Sequence, residues 1–120
     1  MPARWAVSLP VPPDVPACLA LARAAVADDF ESVWIAETSG PDALALAAAV
    51  ASTTGRVRIG TAAVPAYTRT PAVLAGAAGT LDQLAPGRFI LGLGTTRRGH
   101  SAKTGRRATA PRPKRPCTTR

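Results

Sequence analysis

A chain of 120 residues holds one small domain at most, and a complete eight-unit α/β barrel needs roughly 250 residues. Its 47% hydrophobic content is that of a packed globular protein, although aromatic residues are scarce and alanine supplies much of the apolar count. The formal charge of +8 suggests a nucleic-acid partner until the charges are located: residues 1–96 hold six arginines against seven acids, a balance of −1, whereas residues 97–120 hold seven arginines and two lysines with no acid, a balance of +9.

The chain opens on an apolar run at residues 4–8, read as a strand. Pro10, Pro12, Pro13 and Asp14 interrupt it early, so neither a signal peptide nor a membrane-spanning helix is expected. Asp14 can accept from the free amides of a first helix, whose stripe Val15, Leu19, Ala22 and Val26 faces a sheet. A second strand follows at residues 32–36. Pro41 is placed in the first turn of a second helix, where no amide partner is needed, and Gly55 is expected to end that segment as a left-handed cap. Residues 57–62 read as a third strand. Thr70 and Pro71 open a third helix as N-cap and first residue, its stripe running through Leu74, Ala77, Ala78, Leu81 and Leu84 until Pro86 and Gly87 stop it. A fourth strand spans residues 89–93. Strand starts 28, 25 and 32 residues apart leave room for one helix and two short loops each, which predicts an α/β fold with a parallel sheet of four strands and three crossover helices.

After Thr96 no large aliphatic or aromatic side chain occurs. Residues 97–120 are therefore read as a disordered basic tail and residues 1–96 as the folded domain. Cys18 falls inside the first helical pattern and Cys117 in the tail, which gives neither a disulfide framework nor a metal-ligand spacing and fits a reducing cytoplasm.

Parallel βα folds build ligand sites at the carboxyl ends of their strands. Glu37 is the first charged group after the apolar run that ends the second strand, so its carboxylate can accept a hydrogen bond from a ligand at the mouth. The alternatives are that it caps the second helix or pairs with Arg69. Arg69, in the loop before the third helix, is a candidate for binding an anionic ligand group or for pairing with a local acid. Gly92, Leu93, Gly94 and Thr95 end the fourth strand with glycines that admit a ligand close to backbone amides and a hydroxyl beside them; a glycine-tolerant strand is the plain alternative. No GxGxxG opens a helix there, so this is not a dinucleotide fingerprint.

The segments DFESVWIAE at 29–37, GPDALALAAAVA at 40–51, RVRIGTAAVPAYTRTPAVLA at 56–75 and TLDQLAPGRFILGLGT at 80–95 together resemble the luciferase-like monooxygenase superfamily, in particular its deazaflavin (coenzyme F-420) dependent members. The resemblance implies the N-terminal half of a TIM-type (β/α)8 barrel that holds coenzyme F-420 or FMN at its mouth and acts on a small-molecule substrate by hydride transfer or monooxygenation. It implies Glu37 as a catalytic residue, and Glu37, Ala62, Ala63, Arg69, Gly94 and Thr95 as cofactor contacts. It further implies a bulge with a non-proline cis peptide where the third strand ends, the matching bond being Ala62–Ala63. Many relatives carry a histidine proton donor after the acid; Thr38 stands there in this chain. A half-barrel is expected to be inactive alone and to self-associate through its open edges, with an out-of-frame reading as the source of the tail. The competing function is a small domain with a basic arm for nucleic acid or another polyanion, of low specificity because the arm has no aromatic residue to stack bases.

Overall fold

The computed structural model describes residues 4–11 and 14–95. The elements run β1 (Ala6–Ser8), α1 (Val15–Ala27), β2 (Ser32–Ile35), α2 (Ala43–Thr53), β3 (Arg58–Thr61), β4 (Val64–Pro65), α3 (Pro71–Leu84), β5 (Phe89–Ile90) and β6 (Leu93–Gly94). The expected disorder of 97–120 lies outside the described residues.

Four strands form one parallel sheet in the order β1-β2-β3-β5. Each neighbouring pair is joined through a helix, as parallel strands require. Side-chain alternation divides the sheet into two faces. Val33, Ile35 and Ile59 turn to the helices and are buried with Cys18, Ala22 and Ala25 of α1, Leu46, Ala47 and Val50 of α2, and Leu74 and Leu81 of α3. Alanine and cysteine at the helix contacts let these helices lie close to a sheet built of β-branched residues.

The other face carries Ala6, Ser32 and Arg58 in one register row and Ser8, Trp34, Gly60 and Ile90 in the next. A Cβ on Gly60 would fall 2.3 Å from Cζ3 of Trp34, so glycine is what lets the indole lie across β3. Ile90 is 41% exposed on this face, and a hollow of about 370 Å³ is lined by Arg4, Trp5, Glu31, Trp34, Arg58 and Ile90 among others.

The helix starts follow from their caps. Asp14 accepts from Ala17 N–H at α1, and Thr70 from Val73 N–H at α3, with Pro71 in the first turn. For α2 the structure corrects the boundary residues. Pro41 stands outside the helix, because Asp42 is the N-cap and accepts from Leu44 and Ala45. Gly55 is not a left-handed cap; α2 ends on Thr54 in extended conformation. Arg88 binds this end of α2 instead, donating to Ala51 O in the helix, Thr54 O at its cap and Val57 O just before β3, at 3.4, 3.1 and 3.0 Å.

The third expected strand is followed by a short further strand, β4, that the sequence did not predict, and the fourth divides into β5 and β6. Ala62 N–H still bonds Ile35 O of β2, but Val64 N–H bonds Gly92 O on the opposite side, both at 2.9 Å or less. The chain thus changes neighbours between these residues, and the Ala62–Ala63 peptide bond there is cis. Beyond it β4 and β6 continue as a separate parallel pair, Val64 opposite Leu93 and Pro65 opposite Gly94.

Candidate active site

The carboxyl ends of β2, β4 and β6 meet at one edge of the fold. Glu37 follows β2 and is nearly buried, its side chain 10% exposed. Its Oε1 accepts from Arg69 Nη1 at 2.8 Å and its Oε2 from Arg69 Nη2 at 2.7 Å, a two-pronged pair between planar groups. Oε2 also accepts from Ala43 N–H, the first residue of α2, at 3.2 Å. Both alternatives raised for Glu37 from the sequence, capping α2 and pairing with Arg69, are therefore realised at once.

Arg69 comes from the loop between β4 and α3. Besides Glu37 it donates to Thr68 Oγ1 at 3.2 Å and forms an ion pair with Asp42. Two carboxylates beside it hold its guanidinium well above its ordinary pKa: the Glu37 hydrogen bonds act most strongly, and burial opposes them. At Asp42 burial pushes the carboxyl up, but hydrogen bonds from Ala45 N–H, Arg69 and Leu44 N–H outweigh it, and the net shift is downward. The cluster of two acids and one base sits on the amino end of α2, where the helix amides favour the excess negative charge.

Beside this cluster lies a surface of very small side chains. Ala62 and Ala63 mark the change of neighbours, and a Cβ on Gly94 would come 3.1 Å from the Cβ of Ala63. Gly92 is tighter still, for a Cβ there would lie 1.9 Å from the carbonyl oxygen of Thr61. Thr95, exposed, follows directly on β6. Thr38 Oγ1, next to Glu37, is buried without a hydrogen-bond partner among the described residues.

The structure thus gathers Glu37, Arg69, Ala62, Ala63, Gly94 and Thr95 at one end of the sheet. Sequence reasoning missed Asp42, although an aspartate immediately before the run ALALAA is an N-cap signal. It also missed Thr61, which carries no local pattern.

The match to the luciferase-like monooxygenase family model runs from residue 2 to residue 117. The chain belongs to this family. The match continues into the segment set apart as a tail and lends no support to a nucleic-acid-binding arm. An F420-dependent glucose-6-phosphate dehydrogenase of Kineococcus radiotolerans is 42% identical over 76 residues, 55% of this chain and 23% of the relative. A coenzyme F420 dependent tetrahydromethanopterin reductase of Methanopyrus kandleri has a similar structure, with a TM-score of 0.75, 24% identity and coverage of 85% of this chain and 30% of that one. The oxygenating constituent of 3,6-diketocamphane monooxygenase of Pseudomonas putida, in complex with FMN, superposes with a TM-score of 0.74 at 22% identity over 88% of this chain and 33% of that one. The luciferase-like chain described here therefore spans about a quarter to a third of the length of these relatives, and its α/β units are those of part of their barrel.

Proposed function

We propose that this chain is part of an oxidoreductase that holds a flavin or deazaflavin ring, FMN or coenzyme F-420, against the carboxyl edge of its sheet and acts there on a small-molecule substrate. The carrying observation is the close approach of Gly94 to Ala63 at the strand ends that also carry the fixed Glu37 carboxylate, since even one added methyl at 94 would crowd Ala63; we read Ala62, Ala63 and Gly94 as a floor of small side chains. A planar ring needs such a floor, and the residues present fit one. When bound, the ring supplies the hydride or the oxygen chemistry.

The chain's own side chains bind and orient. Ala62 and Ala63 leave room for the ring face, Gly94 brings backbone close to it, and the Thr95 hydroxyl offers a hydrogen bond at the rim. Glu37 presents an acceptor edge to a donor on ring or substrate, in a position that Arg69 and Ala43 N–H fix. Arg69 contributes by holding that carboxylate. Thr38 Oγ1 is a buried hydroxyl still able to donate, a neutral group where a proton donor would need a titratable one.

Titration of the chain with FMN and with coenzyme F-420, followed by ligand fluorescence, tests this reading. Saturable binding of at least one of the two is the expected result; no binding of either ligand overturns it. Turnover is not expected from the chain by itself, because catalysis requires ring and substrate to be held together in one geometry.

The open face of the sheet supports self-association as well. Within the described residues β1 pairs only with β2 and β5 only with β3, so each keeps one free edge, next to exposed Ile90 and Trp5. We assign the protein to the cytoplasm on the free, buried thiol of Cys18; no described helix is long and apolar enough to cross a membrane.

A further inference from the structure

The geometry points to Tyr67 as a ring-stacking contact that determines which planar ligand the mouth accepts, an inference that rests on the ligand reading above. Tyr67 is the chain's one tyrosine and is 72% exposed, the most exposed large apolar side chain among those described. Trp5 and Ile90 are also exposed, but both line the hollow on the inner face of the sheet, where barrel closure covers such groups. Tyr67 lies instead in the loop between β4 and α3, at the carboxyl edge and off the sheet, so pairing of further strands does not account for it.

An exposed aromatic on a mobile loop would fold down onto neighbouring apolar surface. This loop is not free to do so. Ala66 N–H bonds Gly94 O at 2.9 Å, tying the residue before Tyr67 to the end of β6. Thr68 donates to Pro65 O through both its N–H, at 3.3 Å, and its hydroxyl, at 2.9 Å, closing a tight turn around Tyr67. Arg69, two residues on, is fastened to Glu37 and Asp42. Anchors on both flanks therefore fix the backbone that carries this exposed ring, two residues beyond the strand pair whose Gly94 approaches Ala63.

Such an arrangement is preorganised for stacking. A tyrosine has only two side-chain torsions to fix, and its backbone here is already ordered, so little entropy is lost when a ring packs against it. The ligand chemistry this selects is a planar conjugated ring, of cofactor or substrate, that rests on the floor and meets Tyr67 at its edge or face.

FMN affinity of the full chain, measured by flavin fluorescence for the wild type, Tyr67→Phe and Tyr67→Ala, with the melting temperature of each, tests the assignment. Stacking predicts that Tyr67→Ala weakens FMN binding roughly 5- to 100-fold, that Tyr67→Phe stays near wild type, and that neither changes the melting temperature. Saturable binding to the wild type with unchanged affinity in Tyr67→Ala overturns the Tyr67 assignment and leaves the ligand reading standing. A melting temperature that falls together with affinity makes the residue structural and also overturns the assignment. A wild-type chain that binds no FMN and no coenzyme F-420 overturns both.

Discussion

The Thr61 hydroxyl and the backbone of Gly92 satisfy each other: Oγ1 accepts from Gly92 N–H and donates to Gly92 O, each at 2.9 Å. Thr61 is 1% exposed, the one buried polar residue among those described. The contact joins β3 to the link between β5 and β6, just where Ala62 and Ala63 change neighbours. It therefore fixes the height of the floor on which the proposed ring rests.

Substitution at either residue is expected to loosen that junction. In Gly92→Ala the new methyl would stand 1.9 Å from Thr61 O, backbone against side chain with no flexible group to yield, so overpacking should cost about 1–3 kcal/mol or more. Thr61→Val keeps the shape but leaves Gly92 N–H buried without a partner, at a cost of about 1–3 kcal/mol. Urea unfolding followed by tryptophan emission measures both; a wild-type midpoint in Gly92→Ala would show that the strands can separate there freely.

Removing Arg69 should be more damaging than its surface position in a loop suggests. Its side chain is 13% exposed and Glu37 10%, so Arg69→Ala strands a buried carboxylate, and breaking a buried pair on one side costs about 3–5 kcal/mol. The double variant Arg69→Met with Glu37→Leu removes both charges together and should recover much of that loss. Equal destabilisation in single and double variants, read by thermal melting, would mean that the pair is not the source.

Acid should weaken the same cluster through Asp42. Its carboxyl is held below its ordinary value, so its contribution is fully present above the unfolded aspartate pKa, about 3.9, and is lost as pH falls through the lower folded value. Asp42→Asn keeps a side chain able to cap α2 but carries no charge toward Arg69. The stability gap between wild type and Asp42→Asn is therefore expected to be constant near neutrality and to close in acid. A gap independent of pH would assign the whole effect to capping.

The parts of this fold that the sequence made legible are those set by local rules. Asp14 and Thr70 mark helix starts because a side-chain oxygen must satisfy the first amides, and the strand spacing imposes parallel crossovers. Pro41 misled because proline suits a first turn, yet the aspartate after it is the stronger cap. The short β4 and the division of the fourth strand were not readable, because they depend on which neighbour Ala62 and Val64 choose, a choice made by Ile35 and Gly92 far away in sequence. For Glu37 the residue was legible and its partners were not: nothing local ties position 37 to position 69, and only the crossover through α2 and β3 brings them together.

Self-association through the inner face carries its own reporters. Trp5 is 64% exposed and borders the hollow, and Trp34, whose Nε1 donates to Ser32 Oγ at 3.0 Å, lies in its wall. Closure over this face should shift tryptophan emission to the blue and reduce acrylamide quenching as protein concentration rises. At the amino-terminal end of the hollow, Arg4 and Arg58 share the single acid Glu31, with the Arg58 contact at 3.6 Å, so each copy brings one surplus positive charge. If two copies close the barrel with strands parallel, these ends approach each other and repel. Salt screens exposed charges over a Debye length of about 8 Å near physiological strength, so added salt should strengthen association, and Arg58→Gln should do the same at low salt. Emission that is constant across a dilution series in moderate salt would show that the inner face stays open to water and that the free edges of β1 and β5 do not pair.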